Sequence, residues 1–145
     1  MSSPVRRCRP LGAWLLLILL ASSGASQAQK MIVNPEVDVT LMSTDEARLY
    51  VTMRHKAWPN GVPVKVFVLP DEDPLHRAFA NAVLGMFPYQ LRRIWDRQLF
   101  SGTGQAPITV ATEEEMMRRV ASTPGALGYV DSVPPDAPVR FLEVR

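Results

Sequence analysis

The stretch Ser122-Thr123-Pro124-Gly125-Ala126-Leu127-Gly128-Tyr129-Val130 decides how the rest of this chain is read. It describes a helix end, a turn and a short apolar strand. Pro124 lacks the N–H that would continue a helix, and Gly125 can adopt the left-handed conformation that helix termini favour. Gly128 marks a point where another backbone or a ligand can approach the strand closely.

Working outward, the same alternation recurs. Upstream, Ile108-Thr109-Val110 reads as a short strand and Thr112 to Ala121 as a helix. Glu113, Glu114 and Glu115 stand at its positive end, with Arg118 and Arg119 near its negative end. Asp73-Pro74 has the form of an N-cap followed by proline at the first helical position. Leu75, Ala78, Phe79, Ala82 and Val83 follow at helical spacing. A second helix spans Tyr89 to Phe100, with Leu91, Ile94, Trp95 and Leu99 as its apolar face and Arg92, Arg93, Asp96 and Arg97 solvated.

Val64 to Leu69 is apolar except for Lys65, which suits a strand covered on both faces. Trp58-Pro59-Asn60-Gly61 is a turn. Ser43 and Glu46 have capping-box spacing, which predicts a helix from Thr44 to Met53 with Ala47, Tyr50 and Val51 on one face. Met31 to Asn34 is an opening strand ended by Pro35, and Val37 to Thr40 alternates as a continuation. Pro134, Pro135 and Pro138 form an extended connection to a last strand over Val139 to Val144. The fold class is α/β: one sheet with helices on both faces.

The N-terminus reads as a secretory signal. Arg6, Arg7 and Arg9 precede an apolar run from Leu11 to Ala21, and Ser26-Gln27-Ala28 offers a cleavage site after Ala28, with Ser23-Gly24-Ala25 as its rival. The run is about half the length a helix needs to span a bilayer. The expected division is therefore a signal peptide over 1–28 and one α/β domain over 29–145, periplasmic and with no membrane span after cleavage. Cys8 lies before the apolar run, so the mature chain has no cysteine, which excludes thiol catalysis and a Cys-ligated metal. Setting aside the three arginines from 16 basic residues leaves 13 against 14 acidic, a net −1 with no basic cluster for nucleic acid.

Few residues carry legible chemistry. His55 and His76 read as exposed histidines rather than metal or triad partners. Trp58 and Trp95 read as core aromatics. Ser101-Gly102-Thr103-Gly104 follows a helix and precedes a strand, the order of a C-cap loop rather than an anion cradle. Ser43 and Thr44 stand at a helix start, where their hydroxyls serve either as caps or as contacts for a ligand oxygen. No nucleophile with a base, nucleotide loop or metal cluster is legible, so neither an enzyme nor a bound cofactor or metal is expected.

Taken in order, Ile32-Val33-Asn34-Pro35, the capped helix from Leu41 to Tyr50, Trp58-Pro59-Asn60-Gly61 with its strand, the Phe79 helix and Gly125 to Val130 cover nearly all of the mature chain. This series resembles the second lobe of periplasmic solute-binding proteins of ABC transporters, of the phosphate-binding type. The resemblance implies one lobe of a type II periplasmic-binding-protein fold, a small anionic ligand such as phosphate, and a cleft completed by a homodimer or a partner protein. The family's Arg and Ser-Gly-Thr fall at Leu69 and at Asp73-Pro74-Leu75. Asp73 thus takes a ligand-site position with Ser43 and Thr44, while Asp71, Glu72 and Asp73 fill the loop with negative charge. The alternative is a sensor or protein-interaction module on the same fold.

Overall fold

Ala126–Val130 is buried at every position and forms one of the central strands of the molecule. The computed structural model describes residues 29–145, so the expected signal segment lies outside the described residues. In chain order the elements are β1 (Lys30–Val33), β2 (Leu41–Met42), α1 (Thr44–Val51), β3 (Lys65–Val68), α2 (Pro74–Ala82), α3 (Pro88–Phe100), β4 (Ile108–Thr109), α4 (Glu113–Ser122), β5 (Ala126–Val130) and β6 (Arg140–Val144).

The strands form one sheet in the order β2-β6-β1-β5-β3-β4. β1 runs antiparallel to both neighbours, pairing Met31 with Tyr129 and Leu142. The other pairings are parallel, so five strands share one direction. Their carboxyl ends all meet one edge of the sheet, where α1, α2 and α4 begin.

Both faces are covered. A Cβ on Gly128 would meet Met116 Sδ at 2.6 Å and Val120 Cγ2 at 2.9 Å, so the missing side chain is what seats α4 against the strand. Tyr129, the next residue, faces the opposite side, where Phe79 of α2 stacks on it at 3.9 Å. Asn34 joins β1 to α4: its amide donates to the carbonyls of Val120 and Ala121 at 3.0 Å each, satisfying oxygens a helix end leaves unpaired. The indoles of Trp58 and Trp95 are buried and donate to the carbonyls of Gly125 and Val51 at 2.9 and 3.0 Å. Among the described residues no helix is long and apolar enough to cross a membrane.

Three local expectations are corrected. Val37 to Thr40 is not a strand; the chain turns at Asn34 and pairs only at Leu41–Met42, in parallel with β6, so these two residues do not open the helix. α1 stops at Val51 rather than Met53, because Met53 takes a left-handed φ of 60°. Leu99 is 50 % exposed, whereas Leu91 and Trp95 alone form the fully buried stripe of α3.

Candidate functional site

The edge where the parallel strands end is where open α/β sheets hold ligands. Its three helix starts would present unpaired N–H groups to an anion. Here each carries a cap from the chain itself. Ser43 Oγ accepts from the Glu46 N–H at 3.2 Å while Glu46 Oε2 accepts from the Ser43 N–H at 2.8 Å. These bonds to Ser43 hold the Glu46 carboxyl below its ordinary range. Asp73 Oδ1 accepts from the Leu75 N–H at 2.8 Å. At α4, Thr112 Oγ1 accepts from the Glu115 N–H at 3.2 Å, and Glu113 Oε2 accepts from the Asp131 N–H at 2.9 Å.

The loop from Leu69 to Asp73 is held from beneath by a polar chain that crosses the core. Arg92 grips Asp71 with two bonds, Nη2 to Oδ1 at 2.8 Å and Nε to Oδ2 at 3.0 Å. The fork lowers the Asp71 carboxyl below its ordinary range, and the guanidinium lies 5.2 Å over the Trp95 ring. His76 is fully buried, its Nδ1 2.5 Å from the Tyr129 hydroxyl. That hydroxyl also accepts from the Leu69 N–H at 2.8 Å, tying the loop to the core. His76 Nε2 faces Asp71 Oδ1 at 3.7 Å, too far for a direct hydrogen bond. Burial holds the Tyr129 phenol protonated well above its ordinary range.

Two sequence readings are corrected by this arrangement. His76 is not an exposed histidine but a core residue, and Arg92 is not simply a solvated base but the partner of Asp71. The buried face of α2 is His76, Phe79 and Ala80, an i, i+3, i+4 stripe displaced by one position from the face read through Leu75. Counting His76 as apolar would have found it. Nothing local marks the pairing of Asp71 with Arg92, 21 residues away.

Ser43 and Asp73 are both helix caps, and Thr44 is the first residue of α1, its hydroxyl 3.5 Å from the Arg145 carbonyl. They share one edge but not one site. β6, β1 and β5 separate β2 from β3, placing those strands roughly 19 Å apart at ordinary spacing. Among the described residues no group of three or more His, Cys, Asp or Glu could hold a metal ion.

The fold is that of one lobe of phosphate-receptor proteins. The chain superposes on PstS from Borrelia burgdorferi with a TM-score of 0.59 and 15 % identity, over 81 % of this chain and 47 % of that one. It matches an ABC-type phosphate transport receptor from Vibrio cholerae with a TM-score of 0.60 and 13 % identity, over 81 % and 47 %. A substrate-binding protein from Clostridium perfringens with bound phosphate gives 0.62 and 16 %, over 81 % and 46 %. The chain therefore spans about half the length of the solved proteins it resembles. No family model matches the chain, and no curated protein matches it.

The buried imidazole has a consequence for stability. Desolvation, the largest influence, lowers the His76 pKa below 6.5 against the opposing pull of Asp71. The unfolded chain then binds more protons than the folded one as pH falls below 6.5, and stability falls with it, by at most about 1.4 kcal/mol per pH unit. Urea unfolding of the protein between pH 7.5 and 5 is expected to show this loss, and His76→Gln to flatten it. An unchanged slope in the variant would assign the pH dependence to other groups.

Proposed function

We propose that the chain is an exported, periplasmic solute-binding-protein-like domain that meets its ligand or partner at the carboxyl-end edge of the sheet, and that this edge does not hold free phosphate. The fold supports the class. One observation carries the rest: three helix starts gather at a single edge, and at each a side-chain oxygen of the chain's own already takes a first-turn N–H. With Asp71 neutralised by Arg92, Glu72 and Asp73 still face any incoming anion. A like charge at 4 Å and an effective dielectric near 20 costs about 4 kcal/mol, against the roughly 8 kcal/mol of a micromolar complex.

Ser43 and Thr44 at the start of α1 and Asp73 at the start of α2 are the proposed contacts, two separate points on one edge, and an incoming oxygen would have to compete with the caps that Ser43 and Asp73 now form. One lobe supplies one wall of a cleft, and a second copy or a partner protein supplies the other. The reading as a protein-interaction module draws support from Phe87 and Tyr89, which stack 5.9 Å apart while 56 % and 59 % exposed.

A photo-crosslinking residue at exposed Glu72, with another at exposed Arg118 on α4, tests the assignment of the recognition edge. Adducts with a second copy or an exported protein are expected from position 72 only. Adducts from position 118 alone would move recognition to the other side of the molecule. Mass spectrometry of the exported protein is expected to find Gln29 as its first residue; an intact N-terminus in a membrane fraction would contradict export as a cleaved protein.

A further inference from the structure

At the opposite edge of the sheet, where β3 and β4 begin, lies a cavity of about 490 Å³. We infer that it is a second binding site, specific for a small organic anion carrying two or more carboxylate or phosphate groups.

Three segments build it: the residues leaving α1, the first residue of β3, and the loop after α3. The parallel pairing of β3 with β4 and β5 places these segments together, a full strand length from the acidic edge. His55, Lys56 and Lys65 line the cavity, and no aspartate or glutamate does. The Lys56 ammonium donates to the Thr103 carbonyl, which fixes its position on the wall. Lys65 has no ion pair among the described residues. Glu46 is the carboxylate whose field reaches His55 from α1, and it is committed to the Ser43 cap.

The backbone also departs from the ordinary here. Met53, at the cavity wall, is the non-glycine residue with positive φ among the described residues, a conformation that costs free energy and clusters at functional sites. Its turn ends α1 and delivers His55 and Lys56 to the cavity. The amides of Thr103 and Gly104 are bonded to the Gln98 carbonyl, so recognition rests on the side-chain cations rather than on a backbone nest. The volume lies within the 300–1,000 Å³ typical of small-molecule sites, about the scale of an organic anion rather than a lone oxyanion. Two lysines of one sign match a ligand of at least two negative groups.

Amide chemical-shift titrations of the purified protein with citrate and, separately, with inorganic phosphate test the inference. Citrate is expected to give saturable shifts at Lys65 and Gly102–Gln105 that weaken with salt. Lys65→Gln is expected to weaken binding about tenfold, the loss of one charged contact, with no change in the urea midpoint, since Lys65 is exposed. Lys56→Gln should weaken it similarly. Saturation by phosphate but not citrate would overturn the assignment to a larger organic anion. Shifts that never saturate, or that survive in Lys65→Gln, would overturn the site. Saturable shifts at Leu69–Leu75 instead would place the anion at the acidic edge and contradict the proposed function as well.

Discussion

Gly125→Ala is expected to lower the unfolding free energy by about 2–4 kcal/mol, the sum of left-handed strain and backbone displacement. Gly125 has a φ of 73°, and a Cβ there would lie 2.1 Å from the Pro63 carbonyl oxygen and 2.9 Å from Val62 Cγ1. The nearest obstacle is backbone and cannot rotate away. The Gly125 carbonyl meanwhile accepts from the Trp58 indole at 2.9 Å and from the Lys65 N–H at 3.1 Å, so any shift disturbs the entry to β3. Gly61 is the natural control. Its φ is 85°, but a Cβ there meets nothing within 4 Å. Gly61→Ala should cost only the left-handed strain, roughly 1–2 kcal/mol. Urea unfolding of both variants separates the terms, and equal losses would show that the contact with Pro63 relaxes freely.

Trp95→Ala should cost about 3–5 kcal/mol, a large share of the stability of an ordinary domain. Trp95 is 1 % exposed and belongs to the buried stripe of α3. Its indole donates to the last carbonyl of α1, and its ring lies beneath the Arg92 guanidinium and 6.4 Å from His76. Truncation opens a cavity, leaves the Val51 carbonyl without this partner and removes the surface on which Arg92 rests beside Asp71. Trp95→Phe keeps much of the packing and loses the hydrogen bond, for about 1–2 kcal/mol before any repacking cost. A loss below about 1 kcal/mol in the alanine variant would mean that the core collapses around the gap.

The parts of this fold legible in sequence are those specified by neighbours along the chain. Asp73-Pro74, Ser43 with Glu46, and Thr112 each mark a helix start because the capping oxygen and the amide that donates to it lie within three residues. Pro124-Gly125 sets the joint into β5, and alternation of helix with strand is enough for the α/β class. What was hidden depends on distant partners. β2 is two residues long and exists only because β6 lies alongside it, about a hundred residues later. Leu99 fits the helical period but finds no facing surface. The polarity of His76 suggests water, whereas Tyr129 and Trp95 pack against it. Of the candidate site, the acidity of the 71–73 loop was legible; its pairing to Arg92, and the separation of Ser43 from Asp73 across the sheet, were not.

Calorimetric titration of the purified protein with inorganic phosphate tests most directly whether the carboxyl-end edge of this sheet is closed to anions by its own carboxylates. The expected result is no micromolar binding, with any weaker heat insensitive to Asp73→Ala and lost in Lys65→Gln. Micromolar binding abolished by Asp73→Ala would contradict it, by placing the anion at the start of α2 after all.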